Sequence, residues 1–337
     1  MSAENLHPQT EREPKFRGIS NYDVTTSAWL FNPEQALAVT DELNANRPKD
    51  QWIGIELYST ISPKLLSLAK RIGVPIARSV TPDRVTPEKI REWQKVYTHT
   101  KISRVHLEFS FDAWETYIHR PTIGENVFPL KDGAKQRMFQ LAWIYFIGPA
   151  TSMRAVNLAE SLEVGVNAHT NVIEGFAKRG KLDDIKKRLP FILAENERPY
   201  RSPHLHRQGI TSQDLASNPS VIRKEFVDKY KLGGLLLGID HAAEQGFDPA
   251  AELSKNADAL RAVHLASTDK SQGTHAYVRV GDPQISRFLK TAVGTEFPEP
   301  VSVALDYNPI DFMKIPFHEQ LEIVGQTFNW LESTQRR

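Results

Sequence analysis

The chain of 337 residues contains no cysteine. Disulfides and thiolate ligands are therefore excluded, and any bound metal must be held by carboxylates, imidazoles and water. Long hydrophobic runs are missing as well. The longest unbroken apolar stretch, residues 141–147, falls far short of the roughly 20 residues that a membrane span requires. Charge of one sign is not in excess: 42 Lys and Arg stand against 41 Asp and Glu, a formal net charge of +1. That balance offers no broad electrostatic pull toward nucleic acid. Several catalytic signatures are absent: no Gly-x-Gly-x-x-Gly follows a strand, and there is no Walker A loop, Gly-x-Ser-x-Gly elbow or His-Glu-x-x-His. Gly233-Gly-Leu-Leu-Leu-Gly238 is glycine-rich but leads into a strand, so it is a poor phosphate cradle. Residues 1–14 are polar and lack the apolar centre of a signal peptide. They read as a disordered N-terminal tail, and a cytoplasmic location is the expectation.

What is present is the composition of an ordinary globular domain, with 40% hydrophobic and 25% charged residues. From residue 15 to residue 335 strand-like runs alternate with helix-like runs, which argues for one domain of βα units around a parallel sheet. The early strand candidates are Gly18–Asp23, Trp52–Ser59, Pro75–Ser79, Val105–Phe109 and Val164–His169. Four more apolar runs follow. Helix starts are marked by Asn32-Pro33-Glu34, Ser62-Pro63-Lys64 and Thr86-Pro87-Glu88, each a capping side chain before a proline at the first helical position. Further helices are expected over residues 153–162, 211–230, 249–260, 283–289 and 318–331. Nine strand candidates are one too many for a closed eight-stranded barrel. Gly18–Asp23 or Pro75–Ser79 is expected to lie outside it or not to be a strand.

The four later runs end alike: Phe191-Ile-Leu-Ala-Glu195-Asn196, Leu235-Leu-Leu-Gly-Ile-Asp240-His241, Ala262-Val-His264-Leu and Val301-Ser-Val-Ala-Leu-Asp306. Each is a buried-strand pattern closed by a carboxylate or imidazole. In a (β/α)8 TIM barrel, strand C-termini converge on one mouth and carry the active site. A ring of oxygen and imidazole donors there suits a divalent metal: Mn, Mg, Co or Zn.

These residues also carry a resemblance. Residues 153–310 resemble the xylose-isomerase-like TIM barrels, a superfamily that includes sugar-phosphate isomerases and epimerases and the endonuclease IV type of abasic-site nuclease. Residues 153–169 look like the family's helix–strand 4 unit. Ala194-Glu195-Asn196, Gly238-Ile-Asp240, Ala262-Val-His264-Leu and Val301-Ser-Val-Ala-Leu-Asp306 look like its strands 5 to 8. Thr274-His275-Ala-Tyr-Val-Arg-Val-Gly281-Asp282 is similar to its His…Gly-x-Gly loop. The resemblance implies one metal held by Glu195, Asp240, His264 and Asp306. It also implies an acid–base pair, Glu195 and Asp306, for proton transfer next to a carbonyl. Asp306 stands where the family has Glu and is one methylene shorter. Ala243 stands where members often have a second His; His241 follows Asp240 directly, and replaces that His only if the strand has already ended. Asp282 stands where the loop's second Gly is expected.

The expected function is a metal-dependent isomerase or epimerase in carbohydrate metabolism. It would act on a sugar, polyol or related hydroxy-carbonyl compound. His169 would act beside the catalytic pair, with His241, His275 and Arg279 contacting substrate. The partner is a small molecule, with no nucleic acid and no membrane, and the chain is expected to form a homo-oligomer. Two alternatives stand beside it: an endonuclease IV-like nuclease, and a binding barrel that has lost full metal ligation. Arg78, Glu56 and Glu108 are expected in an ion-pair layer inside the barrel. Trp52, Trp93, Trp114 and Trp143 are expected in the core. The long connections at residues 111–134 and 198–219 are candidate lid or binding loops.

Overall fold

The computed structural model describes residues 16–26, 33–58, 85–107, 148–197, 206–207, 209, 211, 215–267, 275–307, 312 and 314–335. Its centre is a closed barrel of eight parallel strands: β2 (Ile19–Thr25), β3 (Gly54–Tyr58), β4 (Lys101–Leu107), β5 (Gly165–His169), β6 (Ile192–Glu195), β7 (Gly234–Gly238), β8 (Leu260–Leu265) and β10 (Val301–Leu305). The strands follow one another around the wall. Parallel pairing of β10 with both β8 and β2 closes it, as in Ala304↔His264 and Ala304↔Asp23. The chain therefore forms a (β/α)8 barrel. Eight of the nine strand candidates make the wall, Gly18–Asp23 among them, and Pro75–Ser79 lies outside the described residues. Two short strands not foreseen, β1 (Phe16–Arg17) and β9 (Glu296–Phe297), pair antiparallel beside the barrel.

The helices fill the connections. They are α1 (Glu34–Asn44), α2 (Pro87–Val96), α3 (Gly148–Ser161), α4 (Thr170–Lys178), α5 (Leu182–Arg188), α6 (Pro219–Ile222), α7 (Ile239–Glu244), α8 (Pro249–Lys255), α9 (Pro283–Gly294) and α10 (Phe317–Gln335). Capping side chains set several starts. Thr86 accepts from Lys89 N at 3.2 Å, Asn218 from Ser220 N at 3.1 Å, and Asp282 from Gln284 N at 2.9 Å, each before a proline. Two expectations change here. The helix expected from residue 211 begins only at Pro219 and runs on into a π-helical turn, Arg223–Asp228. The one expected over 249–260 ends at Lys255, because residue 260 already starts β8.

Alternation along the strands sorts side chains between two environments. Ile55, Leu57, Val105, Leu107, Val166 and Ala168 face the helices and join the main hydrophobic core. The opposite set faces the barrel axis. On the β6–β8 side that interior is apolar, a small cluster of Leu193, Leu236 and Ala262. On the β2–β4 side it is ionic. Arg104 reaches Asp23 at 3.0 Å and Glu56 at 3.1 Å, and also bonds Ser302. Gly54 makes this layer possible, since a Cβ there would lie 2.2 Å from Asp23 Oδ1. Glu56 thus does sit in an ion-pair layer, with Arg104 as partner; Arg78 and Glu108 lie outside the described residues. Trp93 is in the core and Trp52 is only partly buried. Trp114, Trp143 and the 111–134 connection are outside the described residues. Among the described residues no helix is long and apolar enough to cross a membrane.

Candidate active site

Above the Arg104 layer, a second set of polar side chains gathers at one end of the barrel. Thr25, Tyr58, His169 and Glu195 are the last residues of their strands, and His106 and His264 the last but one. Asp306 follows β10 directly and Asp240 lies two residues beyond β7. This is the C-terminal mouth, where barrel enzymes place their chemistry.

Glu195 is the hub, 2% exposed. Its Oε2 lies 2.6 Å from His106 Nε2 and 3.6 Å from His169 Nε2, and its Oε1 lies 2.8 Å from His264 Nδ1. Two of these rings carry a second carboxylate on the far nitrogen. His264 Nε2 meets Glu56 Oε1 at 2.9 Å, and His169 Nδ1 meets Glu197 Oε2 at 3.0 Å. His106 stacks flat on Tyr58, with ring centroids 4.3 Å apart.

Asp306 stands between this hub and a second group. Its Oδ1 accepts from Thr25 Oγ1 at 3.0 Å and Tyr58 OH at 3.1 Å. Its Oδ2 lies 3.7 Å from His264 Nδ1 and 3.3 Å from His275 Nδ1. His275 also touches Asp240 Oδ2, through Nδ1 at 3.2 Å and its backbone N–H at 3.3 Å. It adopts a left-handed backbone (φ 55°), a conformation that costs energy outside glycine and clusters at functional sites. His241 packs edge-on against His275, with centroids 4.8 Å apart.

The position of His241 follows from where β7 stops. The strand ends at Gly238, and α7 begins at Ile239. Successive residues on a helix no longer point to opposite faces, so Asp240 and His241 both turn toward His275. Asn196 fixes that end. Its side chain accepts from Gly238 N at 2.7 Å and donates to Gly238 O at 3.1 Å, extending the β6–β7 ladder one rung. This gives the Glu195-Asn196 pair its logic: one side chain faces the mouth and the next staples the neighbouring strand.

Burial and charge set the protonation of the hub. Burial acts to raise the Glu195 pKa, but the His264 and His106 imidazoles overcome it and hold the carboxyl well below the usual range. Burial likewise opposes charge on His264, and Glu195 and Glu56 outweigh it, raising the ring well above its ordinary value. Glu56 is held at about 2, with His264 and Arg104 overcoming its burial. Asp240 is lowered against its burial by His275 and His241. The mouth is thus built for ionised carboxylates facing imidazoles.

The donors fit a divalent cation. Among the described residues, three groups bring ligand atoms within 4.8 Å of one another: Glu56–His106–His264, His106–His169–Glu195 and Asp240–His241–His275. Asp240 Oδ1 is buried without a hydrogen-bond partner among the described residues, and so is His106 Nδ1. Such orphaned atoms are costly unless a bound group takes them up. The four ligands expected from the sequence all reach the mouth, but His264, Glu195 and Asp240 fall in different groups, with Asp306 between them. The strand-end pattern does not point to His106, Tyr58 or Glu197, and it places Glu56 in the ion-pair layer without its contact to His264. His106, Glu56 and Tyr58 sit on strands whose endings look ordinary, and Glu197 follows Glu195-Asn196 beyond the end of β6. Arg279 is exposed on the strand-8 loop and belongs to none of the groups; it lines an open cavity of about 520 Å³ with Ser267 and Asp282.

The backbone is similar to that of sugar epimerases. A D-allulose 3-epimerase from a Methylomonas species superposes with a TM-score of 0.55 at 12% identity, over 95% of this chain and all of the other. An L-ribulose 3-epimerase gives 0.53 at 11% identity, over 94% of this chain and 96% of that one. A D-psicose 3-epimerase from Clostridium cellulolyticum H10 gives 0.52 at 8% identity, over 94% and 99%. No family model matches the sequence, and no curated protein is similar to it in sequence. At such identities the likeness shows the fold: the (β/α)8 barrel that these 3-epimerases share.

Proposed function

We propose that the chain is a divalent-metal-dependent isomerase or epimerase acting on a small sugar, polyol or related hydroxy-carbonyl compound. The observation that carries this reading is the convergence of two carboxylates on one imidazole nitrogen. Glu195 Oε1 from β6 and Asp306 Oδ2 beyond β10 lie 2.8 and 3.7 Å from His264 Nδ1. Glu195, Asp240, His264 and Asp306 would hold the cation. When bound, it supplies Lewis-acid polarisation of a substrate carbonyl and hydroxyl, which acidifies the neighbouring C–H.

The remaining work belongs to the side chains. Each carboxylate of the pair has one oxygen tied back and one facing inward. Thr25 and Tyr58 hold Asp306 Oδ1, and His106 holds Glu195 Oε2. In this reading one inward oxygen would take the proton from one face of a carbon, and the other carboxyl, in its protonated form, would deliver one to the opposite face, the demand of epimerisation. The tie also answers the shorter side chain at position 306. With Oδ1 drawn in by two hydroxyls, Oδ2 still reaches His264 and His275. His169, His241 and His275 would orient substrate hydroxyls.

The test is isotope exchange. Ketoses incubated with the Mn²⁺-loaded protein in D₂O are expected to gain deuterium at the carbon next to the carbonyl. Glu195→Gln and Asp306→Asn are expected to lower that exchange at least about 100-fold, the scale of a lost general acid or base. Wild-type protein that binds no divalent cation and exchanges no ketose would sink the proposal.

One observation favours a second reading, metal-assisted phosphodiester cleavage of the endonuclease IV type. His106–His169–Glu195 and Asp240–His241–His275 form ligand groups beyond a single four-residue set. His241, turned by the early end of β7, would take up part of the role left open at Ala243. The net charge of +1 argues against a nucleic-acid groove. Metal stoichiometry separates the two: one cation per chain supports the epimerase reading, and two or three with cleavage of abasic duplex support the nuclease.

A further inference from the structure

We infer that Glu56 is the positioning residue of His264, fixing Nε2 as the nitrogen that keeps its proton and Nδ1 as the one turned to the mouth. What Nδ1 meets there rests on the metal reading above; the orientation of the ring does not. Glu56 is fully buried, so water offers its carboxylate no alternative partner. Its Oε1 accepts an aligned hydrogen bond from His264 Nε2 at 2.9 Å. Its Oε2 is clamped by Arg104 through Nε at 3.2 Å and Nη2 at 3.1 Å. Arg104 is itself anchored on Asp23 and Ser302. The carboxylate therefore cannot rotate to a new partner without breaking a buried ion pair.

The two sides of the His264 ring differ in kind. Nδ1 comes within 2.8 Å of Glu195 Oε1, yet it lies off the line that a hydrogen bond requires and has no hydrogen-bond partner among the described residues. Nε2 is aligned on an acceptor and Nδ1 is not. A neutral imidazole has one N–H and one lone pair, and the nitrogen bonded to an ionised carboxylate must be the N–H. Once the ring has lost a proton, as it must to ligate a cation, the lone pair falls on Nδ1, the nitrogen facing Glu195 and Asp306. A carboxylate placed behind a ligating histidine fixes its tautomer and ring orientation and raises its basicity. One strand contributes to this backing at three successive inward positions. On β3 the inward positions are Gly54, which admits Asp23, then Glu56, which tethers His264, then Tyr58, which tethers Asp306.

A purely structural Glu56, present only to balance Arg104, would leave the tautomer of His264 indifferent to its removal. Long-range ¹H–¹⁵N correlation on the full chain with labelled histidine distinguishes the two. The His264 signal is assigned by its loss in His264→Asn. In metal-free protein at a pH where the ring is neutral, the proton is expected on Nε2. On adding Zn²⁺, Nδ1 is the nitrogen expected to shift. Glu56→Gln keeps an acceptor oxygen and should retain Nε2–H, with Zn²⁺ affinity reduced about 10-fold. Glu56→Ala should scramble the tautomer and lose affinity toward about 100-fold, the range for a lost orienting partner. Should the Ala variant not fold, wild type against Glu56→Gln carries the test. The inference is overturned by Nδ1–H in the wild type, by Zn²⁺ on Nε2, or by unchanged affinity in Glu56→Gln. Wild-type protein that binds no Zn²⁺ overturns the metal reading instead; the metal-free tautomer then still decides the role of Glu56.

Discussion

Glu56 joins two systems that the sequence presents separately, the buried Arg104 layer and the imidazoles of the mouth. Its folded pKa of about 2 lies below the ordinary carboxyl value of 4.5, so it stabilises the fold when ionised. The contribution is fully present above 4.5 and is lost as the pH falls from there toward 2. Asp23 has the opposite sign: burial raises its pKa despite Arg104, so acidification relieves rather than costs it. Denaturant unfolding of the metal-free protein across this window is expected to show a steep loss in the wild type and a shallower one in Glu56→Gln. Equal slopes would mean that Glu56 is not held low. At this scale the sequence was half legible. Glu195, Asp240, His264 and Asp306 announce themselves because each ends an apolar run. His106 and Glu56 do not, because they precede ordinary strand endings and acquire meaning only from partners 89 and 208 residues away.

Among the elements, the β6–β7 junction carries the most. Asn196 makes two buried bonds to Gly238, and these set where β7 stops and α7 turns Asp240 and His241 inward. Asn196→Ala leaves a buried N–H and C=O unpaired, each worth about 1–3 kcal/mol. The expected result, read by denaturant unfolding, is destabilisation of about 2 kcal/mol or more, together with weaker metal binding through the displaced Asp240. A variant as stable as wild type would show that the junction holds without the staple. The helix caps contrast with this. Thr86→Ala removes one partly exposed cap on α2 and is expected to cost about 1 kcal/mol without touching the mouth. Element order was readable because proline and a capping side chain mark several helix starts and apolar runs mark strands. Element ends were less so: the stretch at 249–260 keeps an apolar pattern across a helix end and a strand start, and periodicity alone does not divide them.

For the whole molecule, cation binding and folding should be linked, because the proposed ligands come from strands spread around the wall and converge only in the folded barrel. Thermal unfolding with a chelator and then with Mn²⁺ in excess checks this. A cation at about 100 times its Kd should add about 2.7 kcal/mol, seen as a rise in the midpoint. No rise with Mn²⁺, Co²⁺ or Zn²⁺ would count against a resident metal. The sequence by itself determined the barrel, the direction of its strands and the four endings that meet at one mouth, because burial on both faces writes apolar runs and strand ends interrupt them with polar residues. Only the tertiary structure decided how those endings are partnered. Closure of β10 onto β2 and β8 brings Thr25, Tyr58 and Glu56 behind Asp306 and His264, and such pairings across the barrel leave no trace in local spacing. The early stop of β7 belongs with them, since a staple from β6 fixes it rather than any pattern within β7 itself.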